Sequence, residues 1–114
     1  MIYDKICPTD IDAITEYHNR FFIVMEVKYR DAPLSYGQET ALQRMVDAIQ
    51  ESKRTAVLFI CRHDISDRTR PILLKDTILT DAYYDKQWYK PKAKTAGEAW
   101  IYAMRWAKSR EDRK

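Results

Sequence analysis

Glu26 and Lys28 stand one residue apart inside an otherwise apolar run, FFIVMEVKYR, over residues 21–30. Alternate residues of an extended chain share a face, so this carboxylate and ammonium project together while Ile23, Met25 and Val27 point the other way. Charges in the middle of an apolar strand lose hydration, which folding alone does not favour. Just upstream, Asp10 and Asp12 repeat the same spacing on a segment close enough to be a hairpin neighbour. Carboxylates that face one another repel unless a proton or cation lies between them. An all-oxygen ligand set of this kind suits Mg2+ or Mn2+ rather than zinc. The same residues equally make an Asp–Lys–Glu salt-bridge network near a sheet edge. Spacing alone does not separate the two arrangements.

The elements that must position these groups are legible from pattern. Residues 10–17 read as a short strand, with Ile11, Ala13 and Thr15 on one face and Asp10, Asp12 and Ile14 on the other. His18, Asn19 and Arg20 make a polar turn, and residues 21–30 form a central strand rich in β-branched and aromatic side chains. Pro33 ends that strand. Ser35 and Gln38 then have the spacing of a capping box, and Ala41, Leu42, Met45, Val46 and Ile49 recur at helical spacing, which predicts a helix over 36–51. Residues 55–61 (TAVLFIC) are apolar on both faces, as a buried strand is, so a crossover with a helix over the sheet is expected. Residues 62–70 make a charged loop, and 72–74 and 77–79 are short apolar pieces leading to a later strand. Residues 82–89 are a tight hairpin or an edge strand. Thr95 and Glu98 form a second capping box for a helix reaching about Arg110, with Ala99, Trp100, Ala103, Met104 and Ala107 as its core stripe. The expected class is α/β: a mixed sheet flanked by helices in the order β-β-α-β-(β)-α, one domain over residues 1–114.

Charge is unevenly spread along the chain. Residues 1–85 carry 11 basic and 14 acidic side chains, whereas 86–114 carry 9 basic and 3 acidic, within a net charge of +3. A basic C-terminal quarter on an acidic body suits an anionic polymer, and equally a solvated tail. There Lys90, Lys92 and Lys94 lie among Tyr83, Tyr84, Trp88 and Tyr89, as on a nucleic-acid surface or as lysines guarding a sheet edge. Arg62, Arg68 and Arg70 follow the third strand within reach of a phosphate. His18 and His63 are isolated. No Ser-His-Asp set, Walker loop or dinucleotide fingerprint occurs. The 46% hydrophobic content excludes disorder, and no apolar run approaches membrane-spanning length. Cys7 and Cys61 lack metal-type spacing and read as reduced thiols. With no signal-peptide pattern, a cytoplasmic protein without membrane contact is expected.

P-T-D-I-D at residues 8–12, E-V-K at 26–28, Gly37-Gln38 opening a helix and the apolar strand at 56–61 together resemble the PD-(D/E)xK nuclease superfamily. The likeness spans residues 8–62, in the family's strand, strand, helix, strand order. It implies a restriction-endonuclease-like core and metal-dependent hydrolysis of phosphodiester bonds in DNA, as in phage or mobile-element endonucleases and junction resolvases. Asp12 and Glu26 then look like the ligands of Mg2+ or Mn2+, with the Val27 backbone carbonyl as a third oxygen. Asp10 is the alternative to Asp12, which lies nearer to Glu26 along the hairpin. Lys28 looks like the residue that orients or helps deprotonate the attacking water. Gln38 either contacts the phosphate or water, or merely caps its helix. The helix that usually precedes the first strand in that family has no counterpart, so a second subunit is expected to cover apolar surface, giving a homodimer. The competing expectation is a nuclease-like fold that holds DNA or a protein without cutting.

Overall fold

Two apolar strands of equal length make the centre of the molecule. In the computed structural model, which describes residues 12–66, 69 and 72–112, these are β2 (Phe21–Tyr29) and β3 (Thr55–His63), paired in parallel along their whole length. Parallel neighbours need a crossover, and α1 (Tyr36–Glu51) supplies it. On one side β1 (Ala13–Tyr17) pairs antiparallel with β2. On the other, β4 (Ile78–Tyr84) pairs antiparallel with β3, and β5 (Gln87–Tyr89) with β4. A short 3-10 helix, Leu74–Asp76, precedes β4, and α2 (Ala96–Asp112) follows β5. The sheet order is β1-β2-β3-β4-β5. The fold is therefore a mixed five-stranded sheet with two helices. No helix among the described residues is long and apolar enough to cross a membrane.

Each face of the sheet has its own core, which is why β2 and β3 are apolar almost throughout. Leu42 and Val46 of α1 pack on Val24, Ala56, Leu58, Ile60 and Tyr83. Against the opposite face, Ala96, Ala99, Ala103 and Ala107 of α2 pack on Phe21, Ile23, Met25, Val57, Phe59, Cys61, Leu79 and Ala82. Alanines at this spacing bring the α2 backbone close to the strands. At Gly97 the approach is closest to the 3-10 helix: a Cβ there would lie 3.0 Å from the Lys75 carbonyl oxygen. Both glycines sit in helices, while His18, Asn19, Arg30, Lys53, Asp85 and Lys86 hold the left-handed backbone conformation.

Several boundaries differ from the sequence reading. β1 is Ala13–Tyr17 with Asp12 at a bend before it, its side chain accepting the Val27 N–H (2.7 Å), while residues 10 and 11 of the expected strand lie outside the described residues. β3 continues to His63 because β2 runs equally far, so Arg62 is a strand residue and not part of a loop. β4 takes in residues 78 and 79 of the apolar piece at 77–79 together with 82–84, leaving 82–89 as a hairpin whose second strand is the sheet edge. Trp100 is 40% exposed rather than core, since α2 packs through its alanines; its indole N–H donates to Thr15 Oγ1 (3.1 Å). The expected absence of a preceding helix, Asp10, Arg68 and Arg70 all lie outside the described residues.

Candidate active site

Register brings the acidic candidates together. Ala13 stands opposite Met25 and Ile14 opposite Val24, so Asp12, at the bend before β1, lies across from Glu26 on the sheet face that α1 covers. Glu26 is 4% exposed, closed over by the first turn of α1. Its Oε1 accepts a hydrogen bond from Gln38 Nε2 (2.8 Å) and lies 3.6 Å from Lys28 Nζ. Its Oε2 is buried and has no hydrogen-bond partner among the described residues. Burial, and then the Asp12 charge, push the Glu26 carboxyl above the ordinary carboxylate range, while Lys28 and Gln38 pull it back.

Gln38 serves the helix cap through its backbone and Glu26 through its side chain. Its backbone N–H donates to Ser35 Oγ (3.1 Å), the cap expected of a serine in that place, while its side-chain amide leaves the cap and reaches Glu26. Helix start and carboxylate are thus fixed by one residue. Val27 contributes through its backbone. In a strand, the N–H and C=O of one residue point to the same side, so the carbonyl of Val27 turns toward the edge where Asp12 receives its N–H.

The donor set fits a hard divalent cation: two carboxylates and a carbonyl on one edge, one carboxylate oxygen buried and orphaned, and an ammonium beside it. Leaving such an oxygen unsatisfied costs on the order of 1–3 kcal/mol. Among the described residues, no three His, Cys, Asp or Glu side chains gather to hold a metal ion, so the set stands at two acidic side chains.

The basic candidates do not converge. Arg62 Nη1 donates to the carbonyls of Arg30 (2.8 Å) and Ala32 (2.7 Å), clamping the loop between β2 and α1. Lys90 pairs with Asp81 (2.6 Å) on the α1 side of the sheet, whereas Lys92 lines an apolar cleft under α2 on the other side. Lys94 is exposed, its carbonyl accepting from the Leu79 N–H.

Asp81 escaped the sequence reading. It faces Ile60 across β3 and β4, two strands beyond Glu26, beside a register shift at Ile60 and Cys61. Burial disfavours its charge, yet hydrogen bonds from Lys90 and Thr80 and the charges of Lys90 and Arg62 hold its carboxyl below the usual range. A charge inside the apolar run ILTDAYY was the signal available, the same signal that singled out Glu26. Compared with family models, curated proteins and solved structures, the chain finds no match.

Proposed function

We propose that the chain is a metal-dependent endonuclease of the PD-(D/E)xK type, hydrolysing phosphodiester bonds in DNA with Mg2+ or Mn2+. The observation that carries this reading is the buried Oε2 of Glu26, without a partner among the described residues and set among Asp12, Lys28 and Gln38. Asp12, Glu26 and the Val27 carbonyl are the groups that would hold the ion. When bound, the ion supplies a Lewis acid for the phosphate and lowers the pKa of the attacking water. Lys28 offsets the negative charge that grows on the phosphoryl oxygens and orients the water. Gln38 is a positioning residue: by holding Oε1 it leaves Oε2 for the cation. The reading includes a homodimer, supported by Ile101 and Tyr102, which α2 leaves exposed.

The test is a panel of plasmid, linear duplex, single strand and four-way junction incubated with Mn2+ or EDTA, with Lys28→Ala alongside. Cutting that needs Mn2+ and disappears in Lys28→Ala is expected. Cutting that survives in the variant belongs to a contaminant, and no cutting of any substrate overturns the reading. The second reading is a nuclease-like module that binds DNA or a protein without cutting. The set of only two acidic side chains among the described residues favours it. It expects salt-sensitive DNA affinity that Glu26→Ala and Lys28→Ala leave intact.

A further inference from the structure

We propose that the cleft between the start of α1 and β5 receives one unpaired nucleobase of the substrate strand, stacked on Trp88. The inference rests on the nuclease reading above and names the class of substrate: DNA with an unpaired nucleotide beside the cut.

The cleft measures about 340 Å3. Pro33, Leu34 and Ile60 give it apolar walls, and Trp88, 40% exposed, stands at its β5 side. That indole is backed by a rigid support. The Tyr83 ring lies 5.1 Å from it, Tyr83 is itself buried, and its hydroxyl donates to the Asp47 carboxylate of α1 (2.9 Å). A partly exposed indole can stack a flat ring, and stacking on an aromatic side chain tolerates any base.

The polar rim chooses a base over a phosphate. Glu39 and Asp81 line it; one oxygen of each is taken, by Gln43 Nε2 (3.1 Å) and by Lys90 (2.6 Å), and the other can accept a hydrogen bond from an exocyclic amine, which a phosphate cannot supply. Arg62, the one guanidinium in the rim, is fixed by its bonds to the Arg30 and Ala32 carbonyls.

Placement ties the slot to the candidate site. Ile60 and Arg62 are the β3 partners of Glu26 and Lys28, and Glu39 follows Gln38 in α1. From β2 to β5 is three strand spacings, about 14 Å. The stacked base therefore belongs to a nucleotide near the reacting phosphate and not to the one that carries it. A base on an edge-strand indole has left its duplex, so single strands, flaps and junctions fit while an intact duplex does not.

The test reads binding without cleavage, in the full chain carrying Lys28→Ala, with Mg2+, against a short single-stranded oligonucleotide and a blunt duplex. The single strand is expected to quench tryptophan fluorescence, and the duplex is not. Adding Trp88→Phe should keep affinity within about threefold and abolish most of the quenching, while Trp88→Ala should weaken binding roughly tenfold. Quenching unchanged in Trp88→Phe, or affinity unchanged in Trp88→Ala, overturns the slot. If the wild-type chain still cuts with Mn2+ in that case, the nuclease reading stands without it. If nothing is bound or cut, both fall.

Discussion

Glu26 concentrates the tension between stability and chemistry in one side chain. Burial and Asp12 raise its carboxyl above the ordinary value of 4.5, so between that value and its folded-state value the native chain keeps a proton that the unfolded chain has lost. Stability contributed by this group is thus full at acidic pH and falls as pH rises through the window. Glu26→Gln should remove that fall and raise stability near neutral pH by about 1–2 kcal/mol, measured by urea unfolding across the window. A lower stability instead would mean that the ion pair with Lys28 outweighs burial. A divalent cation competes for the same carboxylate, so Mn2+ should raise the melting temperature of the wild-type chain and leave Glu26→Gln unmoved. Lys28→Ala should slow cutting by about 100-fold or more while the fold, followed by circular dichroism, persists. The pairing of Glu26 with Lys28 was legible because a charge interrupting an apolar run is visible locally. The orphaned Oε2 was not, since it depends on which atom Gln38 takes.

At the scale of elements, the first turn of α1 decides the geometry of the site. Ser35 caps it, and the capped residue is the one that reaches Glu26. Ser35→Ala should cost about 1 kcal/mol of stability and also lower cutting, whereas Ser35→Asp, which caps as well, should retain both. Loss of stability with full activity would separate cap from carboxylate. Helices and inner strands were readable from periodicity and capping signals, which are local. The bend at Asp12 was not, because it goes with a side chain accepting the Val27 N–H, which no local pattern announces. The place of Arg62 was hidden for a related reason: the length of β3 is set by its partner β2, 34 residues earlier at Lys28.

For the whole molecule, the α/β class and the order β-β-α-β followed from the sequence, because strands apolar on both faces demand cover on both sides, whereas two strands, β4 and β5, stand before α2 where one was expected. Which helix face stays bare did not follow, since α2 packs by alanines, with Trp106 on Phe21 and Tyr84, and leaves Ile101 and Tyr102 exposed. Self-association through that face should appear as a concentration-dependent sedimentation coefficient, abolished by Ile101→Lys. A coefficient independent of concentration would remove the dimer from the proposal. The left-handed turn residues have a practical bearing on every variant above. Lys53 (φ 68°) and Lys86 (φ 64°) carry side chains where glycine alone is unstrained, while each glycine of the chain is spent inside a helix. Exchanging both lysines for glycine should gain about 1 kcal/mol and roughly 4 °C in melting temperature, far from Glu26. Such a chain is a reinforced chassis: damaging substitutions at the site can be made in it and still be assayed as folded protein.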